Sequence, residues 1–283
     1  IPSDRAPQAT ARHLGRAYAI AASGFLLVGF LLAGLIRWQL AFTGRPVPWL
    51  GGLLGASRAA SGILLPDFYD QLVAMHGTIM VFLGVVPFAV GAFGSWLVPK
   101  RLGIAPALPR VQWFGFGLFL AAGLLMLGSF FAPGGAAQAG WTAYPPLAEI
   151  VPAGQTLWLF GMLLLGGSNL CLAIGLIATV VVGKRRRGLP WIELPFAVHS
   201  QFGAALLLLL AFPALAAAAV LQLMDRLFGA SFFRPSVDLA ASGDPLLWQH
   251  LFWFLAHPEV YVLVLPAFGL VAEVFTHHAG RAL

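Results

Sequence analysis

Three observations predict an all-α fold, a polytopic transmembrane helix bundle. First, 60% of the 283 residues are hydrophobic and only 9% are charged, with mean hydropathy +0.88. A soluble domain of this length carries far more charge. Second, six apolar stretches reach the roughly 20 residues that a helix needs to cross a bilayer. They run over about 17–42, 72–99, 112–132, 155–183, 194–224 and 246–276. Third, lysine and arginine gather in alternate connections, the pattern that fixes the orientation of membrane helices.

Arg5, Arg12 and Arg16 precede the first span; Lys100, Arg101 and Arg110 follow the second; Lys184 to Arg187 follow the fourth; Arg281 follows the sixth. The other side holds only Arg45, Arg58, Arg226 and Arg234, spread over longer loops. The N-terminus is therefore expected inside, in a single membrane domain over 1–283. The net charge of +6 is accounted for by these connections and does not point to nucleic acid. Cys171, the one cysteine, lies in an apolar span and reads as a small core residue. The first sixteen residues are polar, unlike a secretory signal. The chain starts with isoleucine and ends seven residues after the last span, so both ends read as cut or processed. No solenoid repeat, phosphate-binding loop or CxxC pair is present.

The first span ends in Arg37-Trp38-Gln39. A lone arginine at a span's end ordinarily extends to the headgroups. A Gly- and Pro-rich connection, 43–71, leads to Met75-His76-Gly77-Thr78. A lone histidine there is more often an interfacial or packed residue. Gly77 beside it changes the balance, because a missing side chain lets a flat ligand approach the backbone. The second span closes on Phe93-Gly94-Ser95-Trp96, followed by Ala105-Pro106-Ala107. The third is plain and apolar. After it, Ala139 to Leu147 forms a Pro-rich cap with interfacial aromatics. The fourth holds Ser168, Asn169 and Thr179, which either hydrogen-bond within and between helices or line a water path. His199 opens the fifth as an interfacial residue, and Asp244 is placed to cap the sixth.

The sixth span contains Ala256-His257-Pro258-Glu259-Val260-Tyr261. Ionisable groups in a run otherwise fit to face lipid mark a functional site. On a helix His257 and Tyr261 share a face. Glu259 lies about 160° round from Tyr261 at about 100° per residue. Pro258 removes a helical N–H and is expected to loosen the turn above it. His277-His278 fall in the polar tail and are rejected as ligands.

His257 to Tyr261, His76-Gly77 and the 139–147 segment together resemble the heme-copper oxygen reductases, subunit I of cytochrome c oxidase. The likeness covers nearly the whole chain but only the first six of about twelve family helices. It departs at Ala256, at Ser95, and at Ala107, which stands where many members carry the aspartate opening a proton channel. The resemblance implies His76 as axial ligand of a low-spin heme (heme a type), with Arg37 near that heme. It implies His257 as a copper ligand, Tyr261 joined to it and supplying a proton and electron, and Glu259 relaying protons. A high-spin heme and the remaining ligands belong to the family's later helices. The implied function is part of the catalytic subunit of a terminal oxidase, reducing oxygen with electrons from cytochrome c and translocating protons. Implied partners are other oxidase subunits, cytochrome c or a fused or bound donor, and the lipid of a bacterial inner membrane. Gln39 stands where the family often has an acidic residue, and Ala41 where ubiquinol-oxidising relatives often carry an aspartate, which favours cytochrome c. A truncated assembly homologue, a ubiquinol-oxidising relative and a transporter with a Glu259–His257 proton relay are the alternatives. On this reading the chain is a fragment or one part of a divided subunit.

Overall fold

Six long apolar helices account for the fold of this computed structural model, which describes residues 5–48, 51–234 and 243–280. They are α1 (Arg5–Ala41), α2 (Pro66–Leu102), α3 (Pro109–Gly128), α4 (Gly154–Arg187), α5 (Phe196–Phe228) and α6 (Pro245–Ala279). Most overrun the expected spans, because polar residues outside a bilayer can continue a helix that apolar ones start. α1 begins twelve residues before position 17, and α2 begins at Pro66 instead of 72. α5 starts later than expected, at Phe196, because Pro190 and Pro195 hold the preceding turn extended. Arg281 and the side chain of Arg5 lie outside the described residues.

The helix ends follow local chemistry. Gly103, Gly188, Gly229 and Gly280 take positive φ just past α2, α4, α5 and α6, where a left-handed residue closes a helix with little strain. Asp244 caps α6 as expected, its carboxylate accepting from Leu246 N at 2.8 Å. The connection 43–71 holds a two-stranded antiparallel hairpin pairing Ala59 with Leu64 and Ala60 with Ile63.

α2 is the central helix. It packs against α1 along its length and meets α4, α5 and α6. Its most apolar window is 67% buried, against 17% for α1 and for α6 at the margins. α3 to α6 pack as successive neighbours. The α1–α2 seam is built on glycines. A Cβ at Gly29 would lie 2.5 Å from Met80 Sδ, one at Gly84 2.4 Å from Leu26, and one at Gly91 2.6 Å from Tyr18. Small residues let membrane helices approach closely and gain packing where no hydrophobic effect separates protein from lipid.

One local departure has no sequence signal. α2 is α-helical to Thr78, π-helical over Ile79–Val85 and Pro87–Ala92, and α-helical again from Phe93. Pro87 lacks an N–H to donate, which removes one rung of a regular ladder inside this stretch. Pro258 does not have the expected effect: α6 runs unbroken through Pro258 and Pro266.

Candidate functional site

The wide-turn segment of α2 starts three residues after His76. That imidazole is half-buried, and its Nδ1 lies 3.0 Å from the carbonyl oxygen of Gly29 on α1. A carbonyl can only accept, so Nδ1 carries the hydrogen and Nε2 keeps its lone pair. A backbone partner that fixes the tautomer is the outer-shell device that orients histidine ligands. Gly29 is what brings the two helices close enough for this bond.

His76 stands ten residues into α2, about 15 Å from the helix start at 1.5 Å per residue, and His257 stands twelve residues into α6, about 18 Å. α2 starts more than a turn earlier than hydropathy predicts, so the two imidazoles stand at similar distances from their helix starts.

Gly77 also receives a different neighbour from the one its emptiness suggested. A Cβ there would come within 3.1–3.3 Å of the Trp141 side chain. Trp141 bridges the two key helices. Its ring centroid lies 6.1 Å from Phe82 on α2 and 5.6 Å from Phe252 on α6. The same 139–147 segment is fastened to α6 by Trp248 Nε1, donating to Thr142 O at 2.9 Å, and by a hydrogen bond from Trp253 Nε1 to the Tyr144 hydroxyl. Sequence reading found this segment as a cap. Its aromatic bridge is a long-range contact that no local pattern announces.

α6 separates its three ionisable residues by face. Phe252, Leu255, Glu259, Val262, Pro266 and Gly269 are buried in a helical stripe. At Gly269 that stripe meets α5 so closely that a Cβ would lie 2.0 Å from Ser200 Oγ. Glu259 is thus enclosed in the bundle, and its Oε1 has no hydrogen-bond partner among the described residues. His257 and Tyr261 are exposed on another face, their ring centroids 4.8 Å apart at an interplanar angle of 73°. Helical spacing anticipated both the pairing and the separation.

Arg37 is exposed on α1, eight residues and about 12 Å beyond Gly29, and is not brought to His76. Asn169 Nδ2 donates to Leu165 O at 3.1 Å within its own helix. Thr179 Oγ1 accepts from Ala107 N at 3.1 Å, so the connection after α2 is tied to α4 at the residue standing in place of an aspartate. His277 and His278 are exposed at the end of α6.

The donor set bears on heme and copper. Among the described residues no three His, Cys, Asp or Glu side chains converge on one point. His257 offers one exposed imidazole to a copper centre, and His76 offers one oriented imidazole to a heme iron. Each fits as a single ligand; the other donors are not among these residues.

Comparisons agree with these features. A family model described as "Cytochrome C and Quinol oxidase polypeptide I" matches residues 13–283. Cytochrome c oxidase subunit 1 of Thermostichus vulcanus is 38% identical over 272 residues, 95% of this chain and 45% of that protein. The alternative cytochrome c oxidase subunit 1 of Bradyrhizobium diazoefficiens is 36% identical over 277 residues, 93% of this chain and 44% of that protein. A solved heme-copper terminal oxidase dimer superposes with a TM-score of 0.61 at 26% identity, covering 89% of this chain and 39% of that one. The chain thus spans a little under half the length of the curated relatives it matches. Six apolar helices, a tautomer-fixed histidine and a His–Tyr pair on a bare helix face are therefore features of an integral membrane protein that belongs to the cytochrome c and quinol oxidase polypeptide I family.

Proposed function

We propose that this chain supplies the first half of the catalytic core of a respiratory terminal oxidase. The complete enzyme reduces oxygen to water with electrons from cytochrome c and translocates protons across a bacterial inner membrane. The observation that carries the reading is the His257–Tyr261 pair, set edge to face and exposed on a helix made for lipid. Polar rings on such a face are costly unless something covers them. A reaction centre shared with later helices of the subunit is the covering this family offers.

Residue 1–283 form one membrane domain with the N-terminus inside. His76, held by Gly29, presents Nε2 to a low-spin heme of the a type, and Arg37 lies near its periphery. His257 presents a ring nitrogen to copper. When bound, copper and a high-spin heme carry electrons to oxygen, and the rest of this chain's work is with protons. The Tyr261 phenol, beside His257, has an O–H to give to the reaction site. Glu259, enclosed behind that face, holds a proton arriving from the basic end of the bundle and passes it on. Ala107, tied by its backbone N–H to Thr179 Oγ1, carries no acid where many members of the family open a proton channel. Other oxidase subunits complete the complex.

His257→Ala in the complete complex tests the assignment. Copper content and oxygen reduction should be lost while the low-spin heme band stays. An active, copper-replete variant would overturn it.

A further inference from the structure

A cavity of about 380 Å³ opens between the start of α1 and the end of α2, at the end of the bundle where basic residues collect. Arg12 and Arg16 line it from α1, and Phe88, Phe93, Trp96 and Lys100 line it from α2. The seam beneath is tight, since a Cβ at Gly15 would lie 2.9 Å from Ala92 O and from Trp96 Cβ. The cavity is therefore a notch with a floor of backbone and not a gap running through the bundle. Its volume is within the range of small-ligand sites.

The charges are the informative part. Arg101, one residue beyond Lys100, is neutralised by Glu273. Among the described residues no carboxylate comes within 4.0 Å of Arg12, Arg16 or Lys100. Lys100 Nζ lies 4.6 Å over the Trp96 ring, an aromatic face in place of a carboxylate. Three unneutralised cations in one notch repel each other unless an anion joins them. Beside these cations the α2 lining presents the apolar rings of Phe88, Phe93 and Trp96. An occupant must then be anionic at one end and hydrocarbon at the other.

We infer that this notch binds an acidic phospholipid of the leaflet at the basic end. Its phosphate sits among Arg12, Arg16 and Lys100, and the upper part of one acyl chain lies on Phe88, Phe93 and Trp96. Each cation near a membrane surface strengthens binding of acidic lipid about fivefold, so the three together account for on the order of a hundredfold.

Native mass spectrometry of the complete complex, exchanged into micelles with phosphatidylglycerol or with phosphatidylcholine, tests this. The wild type should retain one phosphatidylglycerol more than the Arg12→Gln/Arg16→Gln/Lys100→Gln variant and show no matching retention of phosphatidylcholine. Arg185→Gln, at the same end but outside the notch, should retain lipid as the wild type does. Equal retention by the triple variant, or equal loss with Arg185→Gln, overturns the site. A phosphatidylglycerol probe with a photoreactive tail gives a second measurement that needs no variant. It should label peptides from 9–20 and 86–102 in the wild-type complex, and labelling spread evenly over all six helices, or equally strong with a phosphatidylcholine probe, sinks the proposal.

Discussion

Glu149 shows how much a single residue can be asked to tolerate. Both its carboxylate oxygens are buried without a hydrogen bond among the described residues, and Arg234 Nε is 3.5 Å away. Burial, then the neighbouring Asp225, raise its pKa above the usual carboxyl range, partly offset by Arg234 and Arg226. A carboxyl raised in the folded state binds its proton more tightly there than in the unfolded chain. Stability therefore falls as pH rises through the shifted range, and the cost persists above it. Glu149→Gln should melt with the wild type in acid and above it at neutral pH. A melting difference that does not change with pH would show that charge is not the cause. Asp225, one helix away, is buried without such strain because Phe232 N and Phe233 N both donate to it at 2.8 Å. Neither acid stands out in the sequence. It could not say which one found amide partners, because those partners depend on how a loop turns.

At the scale of elements, the α1–α2 seam decides whether His76 is held. Gly84 lies on the wide-turn part of α2 against Leu26, and Gly29 supplies both the close approach and the accepting carbonyl. Gly84→Leu should push α1 away, break the His76–Gly29 bond and lower the low-spin heme content of the purified complex several-fold. Gly34→Leu, where a side chain meets nothing within 4 Å, should leave it unchanged. Equal heme content in both variants would remove the seam from the account. The six helices themselves were legible, since apolar length alone identifies a bilayer span. So was the division of α6 into faces, because a period of 3.6 residues fixes angles without any tertiary information. The wide turns of α2 were not legible: Ile79 to Ala92 reads as an ordinary apolar helix, and only packing against α1 and α6 reveals its pitch. Trp141 was visible as an interfacial aromatic, but its place against Gly77 was set by residues more than sixty positions away.

At the scale of the whole molecule, the ion pair between Arg101 and Glu273 joins the C-terminal ends of α2 and α6 across 172 positions of sequence. The Arg101 side chain is 48% exposed and that of Glu273 14%. A pair so open to solvent contributes about 0.2–1 kcal/mol. A double-mutant cycle with Arg101→Gln and Glu273→Gln, read by thermal melting of the complex, should return a coupling in that range and shrink it in high salt. Zero coupling at low salt would make the contact incidental. Its small energy does not limit its other consequence. During synthesis α2 enters the membrane long before α6 exists, and Arg101 waits at the surface with no acid to meet. Only when the sixth helix has threaded, turned the right way round and settled against α2 can Glu273 reach it. The pair thus records completion: it closes only once the last of the six helices lies beside the second.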